Sequence, residues 1–188
     1  QRLAEQLGIP VVCLLIPYPY ARDTAGQVHI LHDLAAVVRP GERLYLDLTH
    51  GFRHLPMLAL VAARYLERVA GVAVEELYYG AWDMRNNADE TPVLALRGLL
   101  TMLNWVDALA TYDKDGDYGV FARLLEDDGM AAGTAEGLAQ AAYYERTSNP
   151  VPAQKTLSGV FRAVEAHRGP LGALFGETLQ KRIGWFRG

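Results

Sequence analysis

The chain has 188 residues, 51% of them apolar and 21% charged, with a formal net charge of −4 at neutral pH. That length suits one domain, or a small domain with a helical extension, and the apolar share is enough to bury a real core. The negative balance argues against broad, salt-driven binding to nucleic acid, yet it is compatible with a local basic pocket for a compact anionic ligand. The single cysteine, Cys13, excludes an internal disulfide. No apolar run approaches the ~20 residues that span a bilayer, and the start carries no signal-peptide pattern. A cytoplasmic location is expected, with no membrane partner.

In chain order, residues 1–8 read as the end of a helix, with Leu3 and Leu7 on its apolar side and Gly8 as its stop. Val11-Val-Cys-Leu-Leu-Ile16 is a continuous apolar run, the pattern of a parallel strand covered on both faces, which places Cys13 in the core. Pro17–Tyr20 follows as a loop at that strand's carboxyl end. Residues 26–38 have helical spacing and stop at Arg39-Pro-Gly41. Arg43–Leu48 is the next strand. A helix over Pro56–Val69 is apolar almost all round, so it is expected to bury more than one side, with a subunit interface as the natural place for the extra face. Gly71 ends it, and Val72–Tyr79 is the third strand.

Beyond the polar stretch Asn86–Thr91 the strand-like runs disappear. Helices are expected over Val93–Tyr112, Tyr118–Asp127, Thr134–Arg146, Ala153–His167 and Leu171–Phe186. The domain boundary is therefore placed near residue 90, giving an α/β domain over 1–90 and a helical domain over 91–188. No repeat of fixed period is present.

The stretch with most chemistry is 46–56, Leu-Asp-Leu-Thr-His-Gly-Phe-Arg-His-Leu-Pro. It ends a strand, turns through Thr49, His50 and Gly51, and opens a helix. Strand, small-residue turn and helix start together form an anion or nucleotide site in open α/β sheets, because free backbone N–H groups point out past the strand ends. His50 can hydrogen-bond phosphate or base in either tautomer, and Arg53 offers a planar fork of donors that fits phosphate oxygens. Thr49 has two candidate tasks, donating to phosphate or capping the helix. Gly51 suits close backbone approach or a positive φ. Asp47, which would repel phosphate, is read as orienting His50, Arg53 or backbone amides. His54 is left between a place at the mouth and a solvated surface role. Tyr18, Tyr20, Tyr79 and Trp82 cluster near strand ends, where adenine can stack on aromatic faces. Tyr18 and Trp82 are taken as ligand contacts, Tyr20 as cover for the core edge, and Gly80 as a point of close approach.

Asp47-Leu-Thr-His-Gly51 followed by Phe52-Arg53-x-x-Pro56 resembles the signature of the CRISPR-associated proteins named for their Asp-x-Thr-His-Gly motif, in the CARF (CRISPR-associated Rossmann fold) sensor group. Ile16-Pro17, Tyr78-Tyr79-Gly80-Ala81, Thr91-Pro92, Trp105-Val-Asp-Ala108 and Gly116-Asp117 match in the same order, and Ala142-Tyr-Tyr-Glu-Arg146 matches more weakly; the resemblance covers roughly residues 9–150. It implies a Rossmann-like parallel sheet flanked by helices, dimerisation, and binding of a cyclic oligoadenylate (cyclic tetra- or hexa-adenylate) that switches on an effector, often a HEPN ribonuclease acting on RNA. Such a sheet ordinarily has a strand before the first helix, so the chain is expected to be a piece of something longer, without that strand and without the effector.

Whether this segment is itself an enzyme is left open. The pocket could open its own cyclic ligand without metal, the ribose 2′-hydroxyl attacking in line while Thr49, His50 or Arg53 stabilises charge. Arg162-Ala-Val-Glu-Ala-His167 has the Arg-x4-His spacing of HEPN ribonucleases, a short pattern that also arises by chance. Asp113–Asp117 looks like a calcium loop, but the sixth and twelfth places hold Tyr118 and Leu124 rather than Gly and Glu, so a helix–helix turn is expected. The histidines do not cluster with cysteine, and no G-x-G-x-x-G follows a strand, so neither zinc nor a dinucleotide cofactor is expected.

Overall fold

The computed structural model describes residues 2–17, 21–49, 54–86 and 90–171. Tyr18, Tyr20, His50, Gly51 and Arg53 lie outside the described residues, as does the expected last helix beyond Leu171. The chain is α/β with a helical extension, and it divides into two compact units between Arg97 and Gly98.

In the first unit, α1 (Arg2–Leu7) stops at Gly8, whose φ of 65° is left-handed. Helix α2 (Thr24–Val37) starts where the Asp23 side chain accepts the Gly26 N–H at 2.8 Å. Strand β1 (Arg43–Asp47) leads to α3 (Leu55–Tyr65), which has Pro56 in its first turn, where the missing N–H costs nothing. The helix continues as one π turn, Leu66–Ala70, and Gly71 closes it with φ 67°. Ala62, Ala63 and Leu66 form its buried side. Strand β2 (Ala73–Gly80) pairs parallel to β1, and β3 (Val93–Ala95) pairs antiparallel on its other edge, in the order β1-β2-β3.

The β1–β2 register slips after Leu44↔Val74 to Tyr45↔Glu76, so Glu75 is an extra residue in β2. Arg97 satisfies the disturbed backbone: its guanidinium donates to the Val74 and Glu75 carbonyls. Its own N–H and that of Leu77 both donate to Glu76 Oε1, at 2.7 and 2.9 Å. On the outside, Arg43 Nε lies 2.8 Å from Glu75, and this hydrogen bond holds the Glu75 carboxyl below its ordinary range.

Three expectations are corrected here. Val11–Ile16 forms no strand; Val12, Leu14 and Leu15 are exposed, and so is Cys13. Strand burial comes from a ladder and from helices laid over it. Among the described residues nothing pairs with the outer edge of β1, so this run has no sheet face to be covered. Val93–Ala95 is a strand, not the start of a helix; three apolar residues are too few for periodicity to tell the two apart, and the Tyr78–Gly80 edge of β2 recruits them. The sheet is consequently parallel between β1 and β2 and antiparallel between β2 and β3.

The second unit is helical: α4 (Arg97–Asp115, its first residue belonging to the other unit), a 3₁₀ turn Tyr118–Phe121, α5 (Ala122–Asp127), α6 (Ala132–Arg146) and α7 (Pro150–Ala166). Trp105, Phe121, Leu125 and Leu138 are at its centre, with the Trp105 and Phe121 rings stacked at 6.1 Å between centroids. Asp113–Asp117 is the expected turn: Gly116 takes φ 71°, Asp117 accepts the Gly119 N–H at 2.9 Å, and Arg146 pairs with Asp117. No helix among the described residues is long and apolar enough to cross a membrane.

Helices α6 and α7 meet at Gly137, where an added Cβ would lie 2.6 Å from Val160 Cγ1. Val160 is β-branched and has little rotamer freedom to yield. Gly137→Ala is therefore expected to destabilise the protein by about 1–3 kcal/mol, as overpacking does. Gly159→Ala, in the same helix pair with nothing within 4 Å of its added Cβ, should stabilise by about 0.4–1 kcal/mol. Thermal melts of the two variants check the opposite signs.

Candidate functional site

The parallel pairing of β1 and β2 brings their carboxyl ends together, and the chain beyond each strand is tied to the other. The Leu48 N–H donates to the Tyr78 carbonyl at 2.8 Å, carrying the ladder one step past β1. Asp47 then accepts the Thr49 N–H at 2.9 Å, a local turn that starts the motif loop. Thr49 Oγ1 accepts the Gly80 N–H at 2.8 Å. Accepting through one lone pair leaves the Thr49 O–H as a donor.

These contacts bear on the roles expected of three residues. Asp47 accepts from a backbone amide, that of Thr49. Thr49 does not cap α3, whose N-cap position is held by His54. Gly80 permits close approach of Thr49 itself: a Cβ there would lie 2.9 Å from Thr49 Cγ2 and 3.2 Å from Oγ1. His54 contributes its carbonyl to the Leu58 N–H at 3.1 Å.

Past Gly80, the buried Ala81 donates its N–H to the Pro92 carbonyl at 2.9 Å, and Trp82–Met84 makes a 3₁₀ turn. Trp82 is 62% exposed on this turn. The Arg85 guanidinium lies 4.0 Å from the centre of its ring. Arg85 was not singled out from sequence. The signal was there, an arginine three residues after an aromatic in a turn-rich stretch, but the pairing depends on the turn being 3₁₀, which places such residues over one another.

Arg162 and His167 are in the second unit and have different surroundings. Arg162 lines a cleft of about 430 Å³ with Tyr118, Glu145, Gln154, Leu157 and Phe161. Burial, with Glu145 next, pushes the Tyr118 hydroxyl well above its ordinary value. His167 is nearly buried, its Nε2 3.1 Å from Asp128 Oδ2, while Asp128 Oδ1 accepts the Leu171 N–H at 3.0 Å. Asp128 is a further residue that sequence reasoning passed over, since it is 39 positions from its histidine.

An open α/β unit with a hydroxyl, a glycine and an exposed aromatic at the carboxyl ends of its parallel strands has the layout of a nucleotide- or anion-binding domain. Residues 12–82 match the family model described as the CARF domain of the CRISPR system endoribonuclease Csx1. Over 117 residues, 62% of this chain, the sequence is 25% identical to the CRISPR-associated protein MJ1674 of Methanocaldococcus jannaschii; the match takes in 18% of that relative's length. Both matches point the same way, and they support reading residues 12–82 as similar to the CARF domain of a CRISPR-associated protein.

The Thr49–Gly80 contact gives a direct test. Thr49→Val leaves the Gly80 N–H without its acceptor and should cost about 1–3 kcal/mol. Thr49→Ser keeps the oxygen and should cost much less. Gly80→Ala should destabilise in the wild-type background and less in the Thr49→Ser background, because the methyl it meets at 2.9 Å is then gone. Denaturant melts of the double-mutant cycle read the difference; simple additivity would mean that the two residues do not press on each other.

Proposed function

We propose that this chain is the sensor part of a type III CRISPR defence protein, binding a cyclic oligoadenylate at the mouth formed by Thr49, His50, Gly51, Arg53, Gly80, Trp82 and Tyr18. The observation that carries the reading is the Thr49–Gly80 hydrogen bond, which fixes the start of the Asp-x-Thr-His-Gly loop beside the carboxyl end of the neighbouring strand. In that position the Thr49 hydroxyl is available to a phosphate, and His50 and Arg53 follow within four residues. No cofactor or metal takes part. The helical half, 91–188, conveys binding to an effector, the candidate being a HEPN ribonuclease acting on RNA.

The sensor works as a homodimer, which supplies a ring-shaped ligand with two copies of the same loop about a two-fold axis. Support comes from α3 and its π turn, where Met57, Val61, Tyr65 and Val69 are all exposed at intervals of four residues. That spacing places them along one side of a helix. An apolar stripe of this length on a domain surface is the kind of patch that another surface covers. Val61→Glu should convert the dimer to monomer in sedimentation at micromolar concentration without lowering the melting temperature of the monomer. A wild-type chain that sediments as a monomer up to high concentration refutes the α3 interface.

For the pocket, Arg53→Ala should weaken calorimetric binding of cyclic tetra- or hexa-adenylate by about 1.5–3 kcal/mol, the range for a charge-assisted hydrogen bond. His50→Ala should weaken it as well, and Arg162→Ala should not. Chromatography of the ligand after incubation reports whether the pocket also opens the ring, and labelled linear RNA in parallel reports any cleavage dependent on Arg162 and His167. Wild-type affinity in both the Arg53 and His50 variants would move the site elsewhere.

A further inference from the structure

We infer that Trp82 and Arg85 together form a base-stacking clamp: the indole takes one adenine of the ligand on its open face, while the Arg85 guanidinium, packed on the ring, holds the indole in place. The inference rests on the cyclic oligoadenylate reading above and adds to it a positioning residue, Arg85, and a specific task for Trp82.

Four observations carry it. The first is location: Trp82 is two residues beyond Gly80, and Gly80 is bonded to Thr49, so the clamp stands at the strand mouth that carries the motif loop. The second is exposure: a side chain as large and apolar as Trp82 is 62% exposed, while the neighbouring Ala81 is buried. The third is order. The turn is held on both sides, by Ala81 N–H to Pro92 O at 2.9 Å before it and by the Met84 N–H to Ala81 O (2.9 Å) and Arg85 N–H to Trp82 O (3.3 Å) contacts within it. Asn86 and Glu90 are joined by side-chain and backbone bonds of 2.8 to 3.2 Å. An exposed aromatic on a braced turn loses little freedom when a ligand stacks on it.

The fourth is the pairing itself. A guanidinium 4.0 Å from the ring centre occupies one face of the indole and attracts its π electrons. It limits rotation of the ring, and it leaves a cation close to where the phosphates attached to a stacked nucleoside would pass. A ribonucleotide ring presents bases and phosphates in alternation, so a pair offering one aromatic face and one cation fits it better than it fits an isolated phosphate or a purely apolar ligand. Purines have the larger π surface, and adenine in single strands is bound in this way by aromatic side chains.

The test uses the full chain with cyclic tetra- and hexa-adenylate, read by calorimetry and by tryptophan fluorescence. Of the three tryptophans, Trp105 is fully buried. Adenine stacking should change the emission of wild-type protein, and Trp82→Phe should abolish that change while keeping most of the affinity. Trp82→Ala should weaken binding by about 5- to 150-fold, the range for loss of one base–aromatic stack. Arg85→Ala should weaken binding and reduce the emission change, and Arg85→Lys should restore part of both. Because Trp82 and Arg85 are exposed, melting temperatures of all four variants should stay near wild type. Wild-type binding together with unaltered affinity in Trp82→Ala, or in Arg85→Ala, overturns the clamp and leaves the sensor reading intact. No binding by the wild-type protein overturns both.

Discussion

Everything at the strand mouth depends on one hydrogen bond from the Gly80 N–H to the Thr49 hydroxyl oxygen. Parallel strands share no turn, so their carboxyl ends must be joined by something other than chain connectivity. Here the backbone ladder does it as far as the Leu48 N–H to Tyr78 carbonyl bond, and the Thr49 side chain carries it on to Gly80. The bond requires that residue 80 lack a Cβ, that residue 49 carry a hydroxyl, and that Asp47 turn the backbone so that the hydroxyl faces β2. Three positions of the motif region are thereby explained by structure alone, before any ligand is considered. Thr49 is thereby held beside the end of β2, at the carboxyl ends of the parallel strands.

The same strand is held at its other end by a different device. Glu75 is inserted into β2 and disturbs the ladder, and the Arg97 guanidinium restores the lost bonds by donating to the Val74 and Glu75 carbonyls. Glu76 adds a carboxylate that accepts from both the Arg97 and Leu77 amides. The cost of a bulge is unsatisfied backbone, and an arginine with five donors is the side chain best able to meet it. Leu96 continues the connection through its N–H to the Leu77 carbonyl at 2.8 Å. The short strand β3 and the first residue of α4 are therefore both bonded to β2.

Much of this was legible in the sequence, and the parts that were not have physical causes. Helix ends at Gly8 and Gly71 could be read because a left-handed residue favours glycine, and β1 and β2 could be read from apolar runs bounded by turns. Val11–Ile16 has the same apolar pattern as a covered strand, but pattern reports only what a segment could bury, and burial needs a partner edge. Val93–Ala95 is too short to carry a period, and its strand character comes from the neighbouring edge of β2. At the site, residue types were visible and partners were not. Thr49 was identified, but its contact with Gly80 spans 31 positions. Arg162 and His167, five apart in sequence, suggested a common task. The fold gives one to a cleft with Tyr118 and Glu145 and the other to Asp128, because a step of five turns a helix well past the same face and His167 already lies beyond the end of α7.

Among the described residues, β2 is bonded both to Thr49 at the start of the motif loop and to Arg97, the first residue of α4. Its carboxyl end meets Thr49, and its amino half meets Arg97, the first residue of α4. A strand eight residues long is stiff along its axis, and hydrogen bonds at both ends respond to small displacements because their strength falls steeply with distance and angle. For a ligand to act through such an element it must favour one position of the strand over another by its own contacts; otherwise binding changes nothing downstream. On the proposed function, a phosphate drawing on the Thr49 hydroxyl proton would also change how well its oxygen accepts from Gly80. At the other end of the strand the Arg97 guanidinium is bonded across the bulge while its backbone begins α4. On the proposed function, a ligand at Thr49 would act on β2 by shifting the balance of bonds already present at the ends of the strand.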